Sequence, residues 1–216
     1  MKKILFLIIV IYTSTTFSQT TTTVGGSPIC GSTTSSDVPA NYDGFSGTKS
    51  WAGMIYKSSS INSNGKITKI GFVVDCVTSS RCTFNSALNQ KIYLGEIDES
   101  TFNTNQKPDV NLLTKVYEGT ITWTRGLQSL GVEWITITLS TPFQYTGTKN
   151  LIIVFENNNN TALGGMFSSC GSKPRFLIKN GDQNSTIYKN YNMFSNTGSR
   201  GKQLPIIQLT ITPSTT

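Results

Sequence analysis

Glu96, Asp98, Glu99, Glu118, Glu133 and Glu156 are the side chains of this sequence best suited to chemistry. A glycosidase needs two carboxylates about 5 to 10 Å apart, one to give a proton and one to attack or to activate water. Other routes are closed by composition. The 216 residues contain no histidine, so neither a Ser-His nor a Cys-His nucleophilic pair can be assembled, and imidazole ligation of zinc or iron is excluded. The glycines punctuate turns and build no phosphate loop or nucleotide fingerprint. With 11 acidic residues against 18 basic ones, the acids read as solvated partners at strand ends, and the expectation is a protein that is not an enzyme. Asp98 and Glu99 with nearby loop carbonyls offer the oxygen donors calcium prefers; no other cofactor is implied.

The aromatics point to binding instead. An exposed indole or phenol can stack on the apolar face of a sugar while neighbouring amides reach its hydroxyls. Trp134 lies in antiphase to Ile135, Ile137 and Leu139, so it faces away from the core if they face it. Trp51 opens a strand, and Tyr188 and Tyr191 fall in a late loop with Phe194. Trp51, Trp134, Tyr188 and Tyr191 are therefore the candidate ligand-binding residues, with a framework role weighed against binding for Trp134. Trp123 shares a phase with Tyr117 and Ile121 and reads as core.

Four cysteines, Cys30, Cys76, Cys82 and Cys170, form an even set whose spacing is unlike a zinc finger or ribbon, and disulfides are expected. Of the three pairings, the short polar segment between Cys76 and Cys82 favours a local bridge, with Cys30 reaching Cys170.

These residues need elements to hold them, and an export route. Lys2 and Lys3 precede an apolar run from Ile4 to Tyr12, and Thr16-Phe17-Ser18 offers a cleavage site. This reads as a secretory signal peptide, residues 1–18. The apolar run is far short of the roughly 20 residues a membrane span requires. Cleavage leaves 198 of the 216 residues and, by removing two lysines, lowers the net charge from +7 to +5. The basic residues do not cluster, which argues against nucleic acid as a partner.

Residues 19–49, rich in Thr, Ser and Gly, read as an irregular lead-in. From 50 to 216 the strand pattern takes over. Ile70, Phe72 and Val74 alternate with other residues, as do Ile92 and Leu94, then Ile135, Ile137 and Leu139, and finally Ile207, Leu209 and Ile211. Period two marks half-buried strands. Leu151 to Phe155 is apolar without a break, as in a strand buried on both faces. Asn64-Gly65 signals a hairpin, and the Asn- and Ser-rich run at 180–202 reads as a long loop. No segment of ten or more residues has helical periodicity. The expectation is an all-β, antiparallel, jelly-roll-type β-sandwich in a single domain.

The succession IYKSSSINSNGKITKIGF, KIYLGEIDESTF, LLTKVYEGTI, EWITITLSTPFQYTGTKNLIIVFE and LPIIQLTI resembles a module of large secreted bacterial surface proteins, similar in style to cleaved-adhesin jelly rolls. The resemblance spans about residues 50–212 and is most specific from Trp134 to Phe155. It implies a jelly-roll sandwich used for adhesion or carbohydrate binding. The expected function is thus a secreted, non-catalytic module, free or at the cell surface, that recognises a glycan or a surface protein. The alternatives are a carbohydrate-active enzyme with paired carboxylates and a ligand-free structural subunit of a surface assembly.

Overall fold

The structure, a computed structural model, describes residues 18–42, 49–164, 170–190 and 194–213. The expected signal peptide lies outside the described residues except for Ser18. In chain order the strands are β1 (Thr20–Val24), β2 (Thr34–Ser35), β3 (Ser50–Tyr56), β4 (Gly65–Val73), β5 (Cys82–Thr83), β6 (Ala87–Ile97), β7 (Thr114–Ile121), β8 (Thr124–Arg125), β9 (Trp134–Tyr145), β10 (Asn150–Asn157), β11 (Phe176–Asn180), β12 (Thr186–Lys189), β13 (Ser199–Gly201), β14 (Gln203–Pro205) and β15 (Ile207–Thr212). Helix among the described residues is limited to single turns, the longest being α1 (Ser58–Ile61). The protein is all-β.

Two antiparallel sheets form a sandwich. One has the order β1-β15-β4-β9, the other β13-β12-β3-β10-β6-β7. Their facing sides share one core. Ile67, Ile70 and Phe72 of β4 and Ile207, Leu209 and Ile211 of β15 come from the first sheet; Met54, Leu94, Ile153 and Phe155 come from the second. Trp123 lies at the centre without exposed surface, its ring edge-to-face with Phe176 at 4.8 Å and near Phe72, Phe155 and Tyr42 at 6.1 to 6.5 Å.

The period of two accounts for these placements, because alternate side chains point to opposite faces. In β10 both faces are covered. Leu151, Ile153 and Phe155 enter the common core, while Ile152 and Val154 join Ile55 beneath Phe102, Val110 and Leu113. The segment between β6 and β7 thus lies over the outer face of the larger sheet, which is why β3 is buried along its whole length.

Several expectations are corrected. The lead-in is part of the fold. Thr20–Val24 pairs with β15, β2 pairs with β11, and Val38, Ala40 and Tyr42 are fully buried. Asn64-Gly65 makes no hairpin; α1 and the turn after it carry the chain from β3 in one sheet to β4 in the other. The late loop contains β12 and β13, which extend the larger sheet beyond β3. Tyr117 shares the core-facing side with Ile121, as expected, and packs half-buried against the common core opposite Ile92; the register between β6 and β7 slips just beyond it, at Ile92/Tyr93, and Val116 is buried there as well.

The cysteines pair as Cys30–Cys76 and Cys82–Cys170, with Cα atoms 5.3 and 5.5 Å apart. The expected local bridge between Cys76 and Cys82 is overturned. Cys82 belongs to β5, is buried, and joins the common core with Cys170, whereas Cys76 lies farther out against the lead-in. The loops closed span separations of 46 and 88 residues, which the chain-entropy model converts to about 4 and 4.6 kcal/mol.

Candidate functional site

Among the described residues, the candidate aromatics Trp51, Trp134 and Tyr188 do not form an open platform. Trp51 has no exposed surface; its indole N–H donates to the Ser195 carbonyl at 3.0 Å, and Lys107 Nζ lies 5.8 Å from its ring centroid. In register, Lys189 faces Trp51 and Tyr188 faces Ala52, so Trp51 and Tyr188 project from opposite sides of one sheet. Tyr188 is half-buried against Val38, Ala52 and Ile178, and burial, then the nearby Asp37 carboxylate, raises its pKa. Trp134 is half-buried with Val73, Leu177 and Ile206. It lies so close over Gly71 that a Cβ there would meet the indole at 3.2 Å. Its role in this structure is to cover the outer face of the smaller sheet. Tyr191 lies outside the described residues.

Five of the six candidate acids, all but Glu99, are held by side-chain partners of their own. Glu156 is 7% exposed, pairs with Lys107 and accepts from the Tyr93 hydroxyl at 3.3 Å. Glu118 pairs with Lys91 and Lys115, Glu133 with Arg81, and Glu96 accepts from Thr146. At the expected calcium position, the Asp98 carboxylate meets Lys149 at 2.8 Å, and the Asp98 and Glu99 carbonyls accept from Asn150 Nδ2. Among the described residues no group of three or more His, Cys, Asp or Glu is placed to share a metal ion.

A cleft of about 490 Å³ opens elsewhere, between the end of β1, the end of β3 and the loop joining β11 to β12. Its size is in the range of small-ligand sites. Lys57, Lys179, Asn180, Asp182, Ser185 and Gly26 are among the residues that wall it. Gly25 and Gly26 have φ of +103° and +98°, a region that favours glycine; a Cβ on Gly26 would meet nothing within 4 Å. This double turn leads the chain away from β1 and leaves backbone as the wall.

The opposite wall is fastened by main-chain hydrogen bonds. Gly181 N–H donates to Lys202 O (2.7 Å) and Ser185 N–H to Asp182 O (3.1 Å). The Asn184 and Ser185 carbonyls accept from the N–H groups of Phe102 (2.8 Å) and Ile55 (3.0 Å). Lys57 and Asp182 pair across the cleft at 2.5 Å with about 46% and 45% of each side chain exposed; a pair this open is worth at most about 1 kcal/mol and can exchange partners. Ser185 is 2% exposed and its hydroxyl has no hydrogen-bond partner.

None of these cleft residues was singled out by the sequence pattern. The available signals were the Gly25-Gly26 doublet and the Asn180-Gly181-Asp182 turn. No family model, no curated protein and no solved structure matches the chain.

Proposed function

We propose that the chain is a secreted, non-catalytic binding module of adhesin-like type that takes a glycan in the cleft between Lys57, Asp182 and the Gly25-Gly26 turn. One observation carries this reading. A cleft of about 490 Å³ presents ammonium, carboxylate, amide, hydroxyl and backbone groups, with Asp182 as its one carboxylate among the described residues. Such a lining suits many hydroxyls and lacks the second carboxylate that glycoside hydrolysis requires.

The strand order supports a jelly-roll sandwich. Numbered one to eight along the chain, β1, β3, β4, β6, β7, β9, β10 and β15 read 1-8-3-6 in one sheet and 2-7-4-5 in the other, two interlocked Greek keys. Two disulfides are in keeping with an oxidising compartment, and no helix of the described residues is long and apolar enough to cross a membrane.

A glycan array probed with the mature chain tests the reading. The expected result is a defined set of bound saccharides, with affinity reduced about tenfold or more in Asp182→Asn, since a hydrogen bond to a charged group is lost. Turnover of aryl glycosides, or capture of a surface protein that survives Asp182→Asn and excess saccharide, would replace it.

A further inference from the structure

Resting on the glycan reading, we propose that the cleft selects an acidic saccharide, one bearing a carboxylate or sulfate, over its neutral counterpart. Among the described residues, the charges that wall the cleft are two lysines and one aspartate. Asp182 is matched by Lys57. Lys179, exposed on β11, has no ion pair among the described residues. The cleft therefore holds one surplus positive charge, positioned beside the main chain of Asn180 and Gly181. A neutral sugar leaves that charge to water; an anionic substituent meets it.

A second observation points to a ligand independently of charge. Ser185 stands in the same wall with a covered hydroxyl that bonds to nothing, and an unpaired polar group of this kind is costly to a fold unless something answers it. A ligand hydroxyl or acetamido group pressed against the β11–β12 loop would supply the partner. The exposed Lys57–Asp182 pair then acts as a hinged clamp, its carboxylate accepting from ring hydroxyls and its ammonium donating to them. The chemistry required of the ligand follows: an anionic group for Lys179 and hydroxyls for the Lys57–Asp182 pair.

Two probes decide the matter. Methyl glucuronide and methyl glucoside are titrated separately into the isotope-labelled mature chain, and amide shifts are followed by NMR. Both are expected to move the amides of Asn180 to Ser185. The glucuronide is expected to bind about fivefold more tightly at low salt, an advantage that fades as salt screens the exposed lysine. Lys179→Gln should abolish the preference, so that the two sugars bind alike. Ser185→Ala should weaken both sugars about fivefold without lowering thermal stability, because the hydroxyl it deletes makes no bond in the free protein. Equal affinity for the two sugars, or a preference that survives Lys179→Gln, overturns the acidic-saccharide inference while the glycan reading stands. If neither sugar moves these amides, the glycan reading falls with it; shifts produced by an acidic peptide alone would assign the cleft to a protein partner.

Discussion

Arg125 occupies the point where the two disulfides converge. Its guanidinium donates to the carbonyls of Cys76 at 3.1 Å and Cys170 at 3.3 Å, and its Nε donates to the Asp75 carbonyl, also at 3.3 Å. Each cysteine belongs to a different bridge, so one side chain satisfies main-chain acceptors on both closed loops. The side chain is only 23% exposed, and water cannot readily replace it. Arg125→Met keeps the aliphatic stem but removes the donor to those carbonyls, and should cost about 2 kcal/mol in urea unfolding. Arg81→Met removes an arginine whose pair with Glu133 is 60% and 35% exposed, and should cost less than about 1 kcal/mol. Equal losses in the two variants would contradict the role assigned to Arg125. Sequence alone sets Arg81 beside Cys82 and leaves Arg125 far from any cysteine; the strand pairing of Cys82 with Arg125 is what brings Arg125 to the bridges.

At the scale of the element, β10 is the strand on which both layers of packing depend. It pairs with β3 on one side and β6 on the other. Ile153 is fully buried in the common core, and Ile152, on the reverse face, is 4% exposed. Ile153→Ala and Ile152→Ala should each cost about 2 to 5 kcal/mol, whereas Thr210→Ala on β15, whose alternate positions remain half-exposed, should stay within about 0.5 kcal/mol. A small cost at Ile152 would mean that the segment carrying Phe102 and Leu113 does not cover the outer face. This strand was legible in the sequence because five consecutive apolar residues have no other comfortable place in a sheet, and β4, β9 and β15 were legible because one buried face forces period two. The rest depends on contacts that local pattern does not encode. The Thr-rich β1 shows no alternation, and its partner Ile211 lies 191 residues beyond Thr20. The register slip between β6 and β7 buries Val116 beside Tyr117, which strict alternation does not anticipate. The cleft is assembled from Gly25, Lys57 and the stretch around Asp182, three short polar pieces with no periodicity that meet only after both sheets form.

For the molecule as a whole, buried and half-buried phenols set the alkaline limit. Burial first, then repulsion from Glu156 and the hydrogen bond to it, pushes Tyr93 up to about 12; burial followed by Glu96 does the same for Tyr145. Tyr56 is raised well above its ordinary value of 10.0 by burial alone, and burial raises Tyr42 as well. In the unfolded chain these groups ionise near pH 10. Between pH 10 and 12 the unfolded state has released protons that the native state still holds, so stability must fall as pH rises. The contribution is fully present below pH 10 and is lost on passing through about 12. Lys149, raised by its hydrogen bond and charge interaction with Asp98, acts in the same direction over the upper part of that window. Absorbance at 295 nm and far-ultraviolet circular dichroism, followed together in a rapid alkaline titration, should therefore show exposed tyrosines ionising first, with native β-structure intact. The buried phenols should ionise only in a single cooperative step above pH 10, coincident with loss of the sheet signal. Tyr93→Phe removes one of the groups that drive this step while keeping the ring in place, and should move its midpoint to higher pH. Loss of sheet signal beginning below pH 9, or buried tyrosines that titrate while the sheets persist, would be incompatible with the packing of these phenols between and upon the two sheets.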